Sequence, residues 1–459
     1  DYTRAILAGR RRGTNVHDHG VYLAPRETRH IIGEVVMTHT DQLRRRRWPD
    51  TVTIHYSNHD VKGVSTSAWV RMGLIPPNLE IEIPYRMLLP AGVDGLIVAG
   101  KAMSATHDAL PAIRMQADLE NLGGVAALAA TEAARGGVEP REINVAVLQE
   151  RLRHVGVLPA EKPPAMPEAR HDLQRLVDTV DGSRPLYDYS DMEMGEIFEG
   201  TIPMVEVCSA GPEIIAVLER AIAEASGLRR VHLAQALAMH GARSAVPVLI
   251  EEIDRLLADG RLPQRDNAIR HAGYPPDQGA MPDVVYLLYS LGMLCDPRAI
   301  PVWEQVANLL RPTEEGIRDR REGIFYYVEA LAWGAEQLRD PAAVPMLRRL
   351  HSFPALREQV SHSGFQPDFF LERQAMMELM LARALARCGA EDGYETLIGY
   401  LEDVRAVLAE QAHDHLVALT GLDRGKDPAA WREALAGRAA GAGVISSTGP
   451  SGRRIDMSI

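Results

Sequence analysis

The sequence predicts an α+β region followed by an all-α, HEAT-like solenoid, and three observations carry that prediction. Residues 20–100 alternate short β-rich runs with Gly, Pro, Asn and Asp breakers. A Pro-rich segment interrupts the chain near residue 160. Beyond it, an apolar helix, a short turn and a second helix recur several times. Residues 1–157 are accordingly read as one domain, 158–205 as a linker region, 206–425 as the repeat domain and 426–459 as a C-terminal tail, of which Ala439–Ile459, rich in Gly, Ser and Ala, is expected to lack fixed structure of its own.

The β-rich runs are His30–Val36, Thr51–Tyr56 and Leu79–Ile83. Gly95-Leu-Ile-Val-Ala-Gly100 reads as a buried strand, because four apolar residues without polar alternation suit a strand covered on both faces. A long helix is expected from about Pro111 to Ala134, with Asp108 as its cap and Gly136-Gly137 closing it. Four prolines between Leu158 and Pro167 disfavour helix and mark the linker. In the repeats, Ala245-Val-Pro-Val-Leu249, Ala299-Ile-Pro-Val-Trp303 and Ala343-Val-Pro-Met-Leu347 share one signature, and Gly393-Tyr-Glu-Thr-Leu397 is a degenerate copy. Pro247, Pro301, Pro345 and Glu395 are spaced by 54, 44 and 50 residues. Each helix pair buries only one side alone, so neighbours must stack, as in HEAT repeats.

The chain has 459 residues, enough for two or three cores, and no apolar run long enough for a membrane span. Its three dispersed cysteines suit reduced thiols and a cytoplasmic setting. The net charge of −12 divides into +2 over residues 1–160 and −14 beyond, and an acidic repeat half argues against nucleic acid.

Three stretches, Pro25-Arg-Glu-Thr-Arg-His-Ile-Ile-Gly-Glu34, Ile83-Pro-Tyr-Arg-Met-Leu-Leu-Pro90 and Gly95–Gln116, together resemble the FAD-dependent oxidoreductases related to succinate dehydrogenase and fumarate reductase flavoproteins. The third stretch carries Ser104-Ala-Thr-His107 and the Arg114 that precedes a cofactor-facing helix. The resemblance covers roughly residues 20–155 and implies the C-terminal half of an FAD-binding fold, with FAD as cofactor. It implies a dehydrogenase, oxidase or reductase in which hydride passes between a polar small molecule and flavin N5. Gly100, Lys101, Ser104, Arg114, Met115 and Gln116 are the expected cofactor-binding residues. A glycine there admits close backbone approach, and a helix N-terminus favours negative charge on the reduced ring.

Catalytic candidates are His107, Arg86, Tyr85, Arg26 and His59. Seven of sixteen histidines lie within the first 107 residues, a density suited to moving protons, although a lone histidine is more often structural. For Arg26 and Arg29 the competing reading is ion pairing with Glu27 and Glu34. No metal site is expected from His17-Asp-His19 or from His55 with His59. The sequence lacks a strand followed by Gly-x-Gly-x-x-Gly, so an N-terminal FAD-binding polypeptide, most simply from the same precursor, is expected to complete a heterodimer or a higher oligomer. The alternative is an interaction scaffold built on the helical repeats, with an inactive flavin region.

Overall fold

The structure, a computed structural model, describes residues 27, 29–57, 59, 66–161, 172–193, 195–265, 281–319, 321–364 and 368–441. Cα packing divides the chain into two compact units, the first ending at Ala236 and the second beginning at Leu237.

In the first unit, α1 (His39–Leu43) is started by a capping box between Thr38 and Asp41. Strands β1 (Thr51–Ser57) and β2 (Leu79–Pro84) pair antiparallel, with Thr53 opposite Ile83, His55 opposite Ile81 and an irregularity between Thr51 and Thr53. The short α2 (Ala68–Arg71) lies between them in sequence. Helices α3 (Gln116–Gly136) and α4 (Val145–His154) both pack on β1. Helix α3 buries Leu122, Val125, Ala129 and Ala133, one face at helical spacing, and Gly137 ends it in the left-handed conformation at φ 62°.

Two expected strands do not form. Residues 30–36 make only an isolated bridge between Gly33 and Pro90. Residues 95–99 form no strand, and Leu96 is 46% exposed. A strand needs a hydrogen-bonding neighbour on its edge, and among the described residues the backbone bond this segment makes is from Val98 N–H to Leu88 O. The long helix also begins later than expected. Leu110–Ala112 form a 3₁₀ turn, α3 starts at Gln116, and Asp108 instead accepts from Thr66 N–H and Oγ1–H at 3.1 and 2.5 Å.

Within the expected linker, residues 162–171 and Met194 lie outside the described residues. The remainder contains α5 (Leu173–Asp178), a 3₁₀ turn at Leu186–Ser190 and the start of α6 (Pro203–Cys208). Buried Val177, Val180, Leu186, Tyr187 and Ile202 fix that path. Helices α7 (Ile215–Glu224) and α8 (Gly227–Met239) follow.

The second unit is helical throughout its described residues: α9 (Val246–Leu256), α10 (Asp283–Leu294), α11 (Ile300–Leu309), α12 (Glu314–Arg318), α13 (Ile324–Leu338), α14 (Val344–His351), α15 (Phe369–Arg387), α16 (Glu391–Tyr400), α17 (Ala406–Thr420) and α18 (Pro428–Gly441). Helices α9, α11 and α14 carry Pro247, Pro301 and Pro345 in their first turns, each after a 3₁₀ turn. In one layer α10 packs on α13 and α13 on α15; in the other α9 packs on α11 and α11 on α14. The inner helices approach closely, since a Cβ on Gly292 would meet Trp333 at 2.8 Å and the Gly334 Cα at 3.0 Å.

Of the C-terminal tail, residues 426–441 are described and contain α18, while residues 442–459 lie outside the described residues. Asp427 accepts from the N–H groups of Ala429 and Ala430, Pro428 opens α18, and the fully buried Trp431 joins a core with Leu397, Tyr400 and Leu416.

Candidate functional site

The fold stitches the three sequence stretches of the first unit into one body. Ile31 N–H donates to Ala102 O, Glu34 N–H to Leu89 O, Val35 N–H to Arg86 O, Met37 N–H to Ser104 O and Ser104 N–H to Met87 O. Ser104 is fully buried and its hydroxyl accepts from Gly33 N–H at 2.9 Å. A Cβ on Gly33 would lie 2.8 Å from that of Ser104, so the glycine is required by the approach. Ser104 therefore secures the backbone.

The helix start that follows is open. Met115 caps α3 without a side-chain bond, and Gln116 and Ala117 are exposed. Gly100 stands at φ 82° in a 3₁₀ turn, and an added Cβ there meets nothing within 4 Å. An uncapped N-terminus of a 21-residue helix beside open backbone suits an electron-rich ring edge. The Arg114 side chain is 2% exposed, with its Nη1 3.8 Å from Glu27. Lys101 is half-buried and Met115 partly exposed.

His107 is the best-placed catalytic candidate. Its Nδ1 lies 3.0 and 2.9 Å from the Glu27 carboxylate oxygens, while the side chain stays 34% exposed. The same carboxylate faces His30 Nε2 at 3.5 Å, and His30 Nδ1 donates to Ala105 O at 2.8 Å. Glu27 thus bridges the first and third stretches, which separate it from His107 by 80 positions. Among the described residues Glu27 pairs with His107 and Arg114, and Glu34 with Arg141. Arg26 lies outside the described residues, as do His17 and His19.

His59 belongs to a separate, interior group. Its Nε2 is 2.9 Å from Gln42 Oε1, and its ring centroid is 5.0 Å from that of His39. Gln42 Nε2–H donates to Ala109 O at 2.8 Å, which directs the amide oxygen at His59 and makes Nε2 the protonated nitrogen. His39 Nδ1 is 2.7 Å from Ser67 Oγ. Burial lowers the pKa of His39 to about 4, partly opposed by Asp108, and burial together with His39 holds His59 well below the usual value. His55 is lowered to about 4 by burial, against a hydrogen bond from its Nδ1 to Ile113 O. Among the described residues His39 Nε2, His59 Nδ1 and His55 Nε2 are buried with no hydrogen-bond partner.

Tyr85 and Arg86 anchor the frame. Tyr85 is 1% exposed and its hydroxyl donates to Pro140 O at 2.8 Å. Burial and the charge of Glu34 push it up to about 12. Arg86 grips Asp50 through Nε and Nη2, both at 2.9 Å, above the Trp48 ring. Sequence reasoning missed Glu27 as a partner of His107 and missed Gln42 altogether, and it counted His39 only among the seven histidines of the first 107 residues; within one segment only the three-residue spacing of Glu27 and His30 hinted at a pair.

No helix of the described residues is long and apolar enough to cross a membrane. No curated protein and no solved structure matches the chain. A family model does match: residues 9–152 correspond to an FAD dependent oxidoreductase domain, and FAD is the cofactor that this family implies.

Proposed function

We propose that the first unit forms the isoalloxazine-facing and substrate-facing part of a flavoenzyme that transfers hydride to or from a polar small molecule. The observation that carries this reading is the convergence of three distant stretches on the uncapped start of α3, with His107 held beside it by Glu27. Bound FAD supplies the two-electron acceptor or donor at this point. The chain's own contributions are separable. Gly100 leaves the approach clear, the first N–H groups of α3 stabilise negative charge, Ser104 and Gly33 hold the loop, and His107 exchanges a proton.

A second polypeptide carrying the glycine-rich dinucleotide loop completes the cofactor site in this reading. Three features support it: Val93 and Leu96 are 48% and 46% exposed, the segment 95–99 lacks a strand partner, and Gly123, Gly124 and Ala127 leave one side of α3 bare and exposed. A strand and helix of the partner would cover them, as small residues allow close backbone approach. The helical unit is read as HEAT-like repeats on its two-layer stacking, and this also supports the second reading, in which that unit recruits a partner protein.

Native mass spectrometry of the purified material, followed by its denatured components, tests the proposal. A complex heavier than this chain that releases FAD is expected. Stoichiometric flavin on this chain alone would remove the second polypeptide, and a colourless preparation that takes up no FAD would remove the flavoenzyme.

A further inference from the structure

We infer that Glu27 and His107 form a positioning pair: Glu27 fixes the imidazole in the Nδ1–H form and leaves Nε2 as the proton acceptor for an alcohol or amine substrate. The inference rests on the flavoenzyme reading for its substrate class and on geometry alone for the pair. Both carboxylate oxygens of Glu27 lie within 3.0 Å of His107 Nδ1. A carboxylate only accepts, so the hydrogen sits on Nδ1. In a neutral imidazole the lone pair is then on Nε2, which has no partner among the described residues, on a side chain 34% exposed.

The backbone that carries the ring is anchored. His107 follows Thr106, whose N–H donates to Met37 O, and Ala105, whose O accepts from His30 Nδ1. Glu27 is held in turn by Arg114 Nη1 at 3.8 Å and faces His30 Nε2 at 3.5 Å. The carboxylate thus sits between His107 and the Arg114 guanidinium, and it needs no movement to stabilise an imidazolium formed at His107.

This arrangement favours one class of oxidation. In a substrate of the type H–C–O–H or H–C–N–H, the O–H or N–H bond breaks and its proton passes to His107 Nε2. The C–H bond breaks with its electron pair, which a bound oxidised flavin would accept as hydride, and a carbonyl or imine would remain. His107 is the catalytic residue and Glu27 the positioning residue, with its negative charge offsetting the positive charge on the ring.

The test is ¹⁵N NMR of the full chain labelled at histidine, at a pH where imidazole is neutral, with the His107 resonances identified by their loss in His107→Asn. In the wild type Nδ1 is expected at the protonated end of the range and Nε2 at the unprotonated end. Glu27→Gln, whose amide oxygen still accepts from Nδ1–H, keeps that pattern. Glu27→Ala moves Nε2 to the protonated end, the form favoured by free histidine. His55, whose Nδ1–H is held by Ile113 O, reports that the variants remain folded. A wild-type His107 protonated on Nε2, or an Nδ1–H form that persists in folded Glu27→Ala, overturns the pair. Flavin absorbance is measured separately, so loss of the cofactor reading leaves the tautomer result standing, and the reverse.

Discussion

A buried carboxylate of the second unit and three buried histidines of the first differ in how fully their polar atoms are bonded. In the second unit, Glu378 is 3% exposed and accepts four bonds, from Tyr400 Oη–H at 2.7 Å, His351 Nε2 at 3.1 Å, and the N–H groups of Glu358 and Gln359 at 2.8 Å. Nearby, Asp403 and Arg405 pair and tie down Ser361 and Gln359. In the first unit, His39, His55 and His59 each bury one nitrogen with no hydrogen-bond partner among the described residues. A saturated carboxylate fastens an insertion to a helix and stabilises it. Unsaturated imidazoles cost stability where they stand, and such groups gather where chemistry or binding uses them.

The largest effect is expected for Glu378→Ala. It leaves a tyrosine hydroxyl and two backbone N–H groups without their acceptor, at a cost of roughly 3–5 kcal/mol in global unfolding. Denaturant titration of the full chain measures it; a loss below about 1 kcal/mol would erase the contrast between the units. Glu378→Gln, which keeps one acceptor, should lose less.

The next effect appears as pH dependence. His55 is lowered from 6.5 to about 4 by burial, so between those values the unfolded chain binds a proton that the folded chain refuses. Its contribution is intact above pH 6.5, falls as pH drops and is fully lost below about 4, amounting to roughly 3 kcal/mol. Burial alone would raise Glu378, but bonds from His351, Tyr400 and the two N–H groups hold it below 4.5, so its contribution survives pH 5 and goes only in stronger acid. The difference in stability between wild type and His55→Asn, followed from pH 7 to 4, should therefore slope, while that for Glu378→Gln stays flat down to pH 5. A flat His55→Asn difference would place this imidazole in water.

The sequence made legible what local chemistry determines. Thr51–Tyr56 and Leu79–Ile83 became strands because β-branched and apolar residues alternate there, and the prolines at 247, 301 and 345 marked helix starts because φ and the missing N–H suit only a first turn. Residues 95–100 have strand composition but no edge to pair with, a property of neighbours that composition does not record. The helix at Pro428–Gly441 was written in Asp427, Pro428 and Trp431, yet the Gly and Ala around them masked it. Of the site, Gly100, His107 and the helix start were visible in a contiguous stretch, whereas Glu27 acts on His107 from 80 residues away and only folding joins them.

A smaller effect tests whether Tyr85 is frame or chemistry. Tyr85→Phe removes the bond to Pro140 O and should cost about 1 kcal/mol, with flavin content unchanged. A variant of full stability that loses substrate turnover would instead return Tyr85 to the chemistry.

Arg86→Ala should be nearly silent in stability. The Arg86 side chain is 41% exposed, and although hydrogen bonding to Asp50 is the largest cause of its raised pKa, solvent screens much of that pair. The expected loss is below about 1 kcal/mol and shrinks further in high salt. Asp50 would keep its bond from Arg86 N–H, since the backbone remains, so the turn after β2 holds. A guanidinium that merely ornaments the frame leaves substrate binding unchanged as well. A rise in KM without a change in stability would show that Arg86 faces an anionic group of the substrate, which would extend the functional surface of the first unit from His107 to the start of the second stretch.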